Sequence, residues 1–158
     1  MRWAPYIGRM RVTTWTEYSL IITLNLARRR RAGQGALSAR ELADTERLPA
    51  DYVEQILLRL RRAGLVDSIR GAKGGYTLAR DPESLTVRDI MSASERQTFE
   101  INCELHPVDP ERCAVTSACS IRPIWYSLQR RIDSFLESIT VADLLKEENK
   151  VTELITPA

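Results

Sequence analysis

Between Ser38 and Ala79 the chain spells out two helices in quick succession, then a strand, a glycine-rich turn and a second strand. This order restricts the fold more than any other stretch. Ser38-Ala39-Arg40-Glu41 is a capping box, in which the serine hydroxyl and the glutamate carboxylate satisfy amide donors left open at a helix start. A short helix follows, to about Thr45. Leu48-Pro49-Ala50-Asp51 opens the next helix, which runs to Ala63, because proline is tolerated in a first turn and Gly64 supplies a C-terminal stop. On a helical wheel, Val53, Ile56, Leu57 and Leu60 form one apolar stripe facing the core. Asp51, Gln55, Leu58 and Arg62 lie opposite, flanked by Glu54, Arg59 and Arg61. Leu65 to Arg70, the turn Gly71 to Gly75 and Tyr76 to Ala79 read as a hairpin with Arg70 and Lys73 at or beside its tip. The arrangement predicts a winged helix-turn-helix: a mainly α fold with a small β-hairpin wing.

The flanks complete the plan. Apolar residues at helical spacing from Thr14 give a first helix that ends in Arg28 to Arg31, where cations suit a helix C-terminus. Met1 to Arg9 has no clear period and reads as an extension, with Met10 a second plausible start. Thr86 caps a short helix through Val87, Ile90 and Met91. Glu95 to Ser120 reads as a loop of a length that is uncommon unless functional or disordered. From Ile121 the apolar positions Trp125, Leu128, Ile132, Phe135 and Ile139 keep a heptad spacing, which predicts a long dimerisation helix. A last short helix starts at Thr140. The expected division is residues 10–82 for DNA binding, 83–120 for a linker helix and cysteine-bearing sensor loop, and 121–150 for the dimerisation helix and its short successor.

Charge sharpens this division. The 158 residues carry a formal net charge of only +2. Met1 to Arg80 holds 15 basic and 7 acidic residues, whereas Asp81 to Ala158 holds 8 and 14. A basic N-terminal module facing a polyanion is the natural reading. No apolar run is long enough to span a membrane, and no secretory signal is evident, so a cytoplasmic protein is expected. Three cysteines in such a compartment suit ligands or reactive thiols better than a disulfide framework. No phosphate-binding glycine loop, nucleophile elbow or paired catalytic His/Asp is present, so an enzyme is not expected.

Tyr52-Val53-Glu54-Gln55-Ile56-Leu57, Leu60-Arg61-Arg62-Ala63-Gly64-Leu65-Val66, Ser68-Ile69-Arg70-Gly71 and Gly74-Gly75-Tyr76-Thr77-Leu78-Ala79 resemble the recognition helix and wing of bacterial IscR/NsrR-type winged-helix repressors. The resemblance extends from Met10 through the heptad helix to Thr140-Val141-Ala142-Asp143-Leu144. It implies a homodimeric transcriptional repressor on a palindromic operator in double-stranded promoter DNA. Carried over by position, Asp51, Glu54 and Gln55 match base-addressing residues and Arg70 the wing arginine of the minor groove, with Arg59, Arg62 and Lys73 as further DNA contacts. Gln can pair bidentately with adenine, Glu can accept from cytosine N4, and Arg in a narrow minor groove reads shape.

Many members of that family carry an iron-sulfur cluster on three loop cysteines. Cys103, Cys113 and Cys119 stand at that loop, with nine residues in the first gap where five is commonest and five in the second. The resemblance implies a fourth ligand, either a His three residues after the last cysteine or a carboxylate near the start of the first helix of the other subunit. Arg122 occupies the first position and cannot ligate when charged. Glu17 aligns with the second and is preferred, with His106 the alternative and a small exogenous ligand third. A 2Fe-2S cluster is favoured and 4Fe-4S also fits. The expected signal is redox state, nitric oxide or cluster supply. Alternatives are a cluster-free member controlled by a protein or metabolite partner or by thiol oxidation, and a zinc-stabilised DNA-binding protein.

Overall fold

The computed structural model describes residues 12–95, 107–114 and 117–156. Helix α1 (Thr14–Arg31) is the axis of the molecule. It packs against α3, α4, β2 and α6, defined below, and buries Ile22, Leu26 and Ala27 together with the polar Thr16, Ser19, Thr23 and Asn25. A helix contacted from several sides cannot keep a simple polar face, so its short polar residues find local partners. Thr23 Oγ1 donates to the Ser19 carbonyl at 2.7 Å, and Asn25 Nδ2 donates to Glu46.

Helix α2 (Ala39–Glu46) starts at the expected capping box: Glu41 N donates to Ser38 Oγ, and Ser38 N donates to the Glu41 carboxylate. Ser38 Oγ, donating to the Glu41 carboxylate at 2.6 Å, and then Ser38 N hold that carboxyl below its ordinary pKa. Arg47 closes α2 in the left-handed region at φ 54°. Pro49 is the N-cap of α3 (Ala50–Arg62) and not a first-turn residue as the sequence suggests. The stripe Val53, Ile56, Leu57 and Leu60 is fully buried. Gly64, at φ +69°, ends α3 in a conformation unfavourable to any side chain with a Cβ.

Strands β1 (Val66–Ile69) and β2 (Gly75–Leu78) pair antiparallel, with Val66 opposite Leu78 and Ile69 opposite Gly75. A feature not expected from the sequence is a bridge from Leu37 to Tyr76, closed by Leu37 N donating to Tyr76 O at 3.1 Å and Tyr76 N to Leu37 O at 2.8 Å. It fastens the hairpin to the residue just before the α2 N-cap. Gly75 makes this approach possible, since a Cβ there would lie 2.4 Å from the Leu37 carbonyl carbon.

A 3-10 turn (Pro82–Ser84) leads to α4 (Val87–Ser94), capped by the reciprocal Thr86–Asp89 box. After the cysteine loop come α5 (Arg122–Glu137), α6 (Val141–Leu144) with its own Thr140–Asp143 box, and α7 (Glu148–Ile155), which the sequence reading does not include. Val87 N donates to Ile139 O at 2.9 Å and Val141 N to Leu85 O at 2.8 Å, joining the start of α4 to the start of α6. Arg88 ties α4 to α5 through Asp133 at 3.3 Å and Glu137 at 2.8 Å. Leu85, Ile90 and Val141 belong to the same buried cluster as Ile22, Leu57 and Leu78. No helix among the described residues is long and apolar enough to cross a membrane.

Candidate nucleic-acid interface and cysteine loop

With its apolar stripe committed to the core, α3 leaves Asp51, Glu54, Gln55, Arg61 and Arg62 exposed. Arg61 reaches Ser68 Oγ on β1 at 3.4 Å. Arg70 and Lys73 are exposed in the turn between β1 and β2. The Leu37–Tyr76 bridge sets this wing beside the start of α2, so helix, turn and hairpin move as one body. Two further exposed cations belong to the same unit and are not singled out by the sequence reading: Arg40 in the first turn of α2 and Arg47 in the turn before α3. Their position next to helix starts was the available signal, because backbone amides and side-chain cations there together favour phosphate.

Arg59 corrects the sequence expectation. It is half-buried and turned inward: its guanidinium lies 4.0 Å from the centroid of the Trp15 ring, and it donates to the Ser94 carbonyl at the end of α4. A cation stacked on an indole and bonded to a carbonyl is engaged within the fold and not turned to the outward face that the helical wheel suggests. Around it Trp15 meets Tyr52 at 4.9 Å between centroids, and Tyr18 meets Tyr52 at 5.8 Å. Thr16 Oγ1 bonds Ser94 Oγ at 3.2 Å and donates to the Glu95 carboxylate at 3.0 Å.

The basic run at the end of α1 is also partly spent within the fold. Arg30 donates to the Leu78 carbonyl and pairs with Asp81 at 2.6 Å, Arg31 pairs with Glu83 at 3.2 Å, and Arg29 donates to the Gly35 carbonyl. These contacts brace the exit of the wing.

Cys113 and Cys119 are free and partly exposed. The loop around them is organised by Arg122 in the first turn of α5, which donates to the carbonyls of Cys113 at 3.2 Å, Ala114 at 2.8 Å and Ser117 at 3.4 Å. The backbone amides of Arg122 and Ile121 donate toward the Cys119 sulfur, and with the nearby Arg122 and Arg112 charges they hold its thiol below the ordinary cysteine pKa. Cys103 and His106 lie outside the described residues. Glu17 is exposed in the first turn of α1, and it does not come together with Cys113 and Cys119 within one chain.

Among the heptad positions Ile121, Trp125, Leu128 and Phe135 are 53%, 37%, 38% and 48% exposed, and no residue of α5 is buried. Ile139, the last of them, is instead buried in its own chain. Among the described residues this leaves an open apolar seam along α5, a pattern that marks interaction surfaces.

Comparison with known proteins agrees with this arrangement. The family model Rrf2, described as an iron-dependent transcriptional regulator, matches residues 12–147. The transcriptional regulator CymR of Bacillus subtilis is 33% identical over 135 residues, 85% of this chain and 89% of CymR. The transcriptional regulator IscR of Xenorhabdus nematophila is 32% identical over 139 residues, 88% of this chain and 81% of IscR. Among solved structures, T. potens IscR superposes with a TM-score of 0.66 at 30% identity, covering 94% of this chain and 93% of that one.

Proposed function

The chain belongs to the Rrf2 family of transcriptional regulators, and from that membership we propose that it is a homodimeric DNA-binding repressor switched by an iron-sulfur cluster. The family consists of transcription regulators and not enzymes. The observation that carries the DNA-reading part is the exposed face of α3, polar along its length, standing beside a wing tip with two exposed cations. Asp51, Glu54 and Gln55 address base edges in the major groove, while Arg70 enters the minor groove. Arg62 and Lys73, with Arg40 and Arg47 added, hold phosphate and fix the register. The open α5 seam pairs two copies, so two recognition helices read a palindromic operator.

The donor chemistry suits a cluster. Cys113 and Cys119 are free thiols with open surface, and Cys119 is biased toward the thiolate that iron binds. Arg122 is engaged with three carbonyls and supplies no ligand. Cys103, Cys113 and Cys119 would hold the group, with Glu17 of the other subunit as fourth ligand and His106 the rival. A cluster held by three thiolates and a carboxylate supplies a centre open to oxidation and nitric oxide. The chain's own part is to present the thiols from a loop fastened by Arg122 and to carry Glu17 on the helix that packs against α3.

Iron and sulfide analysis with visible absorption, on protein purified without oxygen, tests the cluster. A 2Fe-2S content is expected. Glu17→Ala loses or destabilises it and His106→Ala keeps it; the reverse result transfers the fourth position to His106. A second reading, regulation through the thiols without a cluster, draws on the comparable likeness to CymR, described in its solved structure as the global cysteine regulator of B. subtilis. Iron-free protein whose DNA affinity changes on thiol oxidation would support that reading.

A further inference from the structure

We propose that Arg59 is a positioning residue that couples the root of the cysteine loop to the DNA-reading helix, an inference that rests on α3 being that helix. Three chain segments converge on it. Trp15 and Thr16 sit immediately before Glu17 in α1. Ser94 and Glu95 close α4, and the chain runs directly from them toward Cys103. Tyr52 and Arg59 belong to α3, whose other side reads DNA.

The contacts bind these segments into one junction. The Arg59 guanidinium lies over the Trp15 ring with its centroid 4.0 Å away and donates to the Ser94 carbonyl. Thr16 Oγ1 donates to the Glu95 carboxylate at 3.0 Å and lies 3.2 Å from Ser94 Oγ, whose single proton goes either to Thr16 Oγ1 or to the Met91 carbonyl at 2.9 Å. Thr16 and Ser94 are each 1% exposed, so little water is available to replace a bond that breaks. Arg can stack on an indole and donate in its own plane at once, a combination lysine does not reproduce. A displacement of the α4 terminus, or of the first turn of α1, therefore pulls on the same side chain of α3. Glu17 follows Trp15 and Thr16 in sequence, and Glu95 is the last described residue before the segment that contains Cys103, so both candidate ligands are tied in sequence to this junction.

The coupling is testable without a cluster, because duplex binding at α3 that shifts the junction changes the population of loop conformations and with it the access of a reagent to the thiols. The probe is a duplex that the wild-type protein selects from a randomised palindromic library. The readout is the alkylation rate of the loop thiols by N-ethylmaleimide in metal-free, reduced, full-length protein, followed by mass spectrometry with and without saturating duplex. In the wild type the duplex changes that rate about fivefold or more. In Arg59→Met, which keeps the apolar packing on Trp15 and loses the donor, the ratio falls to near one although the duplex remains saturating. Arg59→Lys restores part of it.

Thr16→Val, a near-isosteric break from the α1 side, gives the same loss of ratio and serves if Arg59→Met does not fold. A wild-type ratio near one, or an unchanged ratio in both Arg59→Met and Thr16→Val, overturns the proposal. Iron content is read on separate samples, so failure of the cluster reading leaves this comparison intact.

Discussion

Glu54 stands on the bare side of a helix that must approach a polyphosphate, where a carboxylate lowers affinity for every sequence. In the proposed role it would accept from cytosine N4 and disfavour other bases, a gain in selectivity and not in affinity. Glu54→Ala is therefore expected to hold or raise affinity for unrelated duplexes while blurring base preference at one position, as read by selection from a randomised library. Arg70→Ala should instead weaken operator binding by about 1–3 kcal/mol, and Lys73→Ala should lower the salt slope by about one; fluorescence anisotropy at several salt concentrations reads both. If neither Arg70→Ala nor Glu54→Ala alters a footprint, the assignment of the reading face is wrong. Away from DNA, Asp143 is held to a pKa of about 2, from an ordinary value near 3.8, by Lys146, then by the Thr140 hydroxyl and amide. Because folding depresses this pKa, its stabilisation is complete above about pH 4 and is lost as pH falls toward 2. Thermal melts should show Asp143→Asn losing part of the wild type's pH dependence in that window.

At the level of elements, the parts legible in the sequence are those decided locally. The Ser38–Glu41 capping box, the Thr86 cap, the stripe Val53-Ile56-Leu57-Leu60 and the glycine turn of the wing each depend on residues a few positions apart, and each forms as expected. What was not legible depends on partners far along the chain. Arg59 looks like one more cation on a basic helix until Trp15 and Ser94 are brought beside it. Arg30 and Arg31 look free until Asp81 and Glu83 fold back on them. The Leu37–Tyr76 bridge has no sequence signature except a glycine next to the tyrosine, and Gly75→Ala should loosen the wing by disrupting it, read as faster amide exchange at Leu37 and Tyr76. The α5 seam was legible as a heptad, and its exposure in one chain gives the strongest structural reason to expect a pair. Leu128→Glu should halve the mass by light scattering with helix content retained. A variant that stays dimeric would move the interface elsewhere.

For the whole molecule, the small net charge of +2 conceals a division that the fold only partly preserves. Some of the acidic second half returns to neutralise the end of α1, so the cations left for DNA are concentrated on α2, α3 and the wing tip. The proposed pairing through α5 would double that face. Arg59 of α3 is bonded to the carbonyl of Ser94 at the end of α4, which gives the proposed reading helix a fixed anchor in the body of the fold. In the proposed mechanism the state of the cysteine loop sets operator affinity. A titration of the selected duplex with protein purified without oxygen, before and after cluster removal by nitric oxide or a chelator, tests this. Iron- and sulfide-bearing protein whose affinity changes about fivefold or more on removal is expected. Colourless, iron-free protein that binds the duplex at full affinity would contradict it.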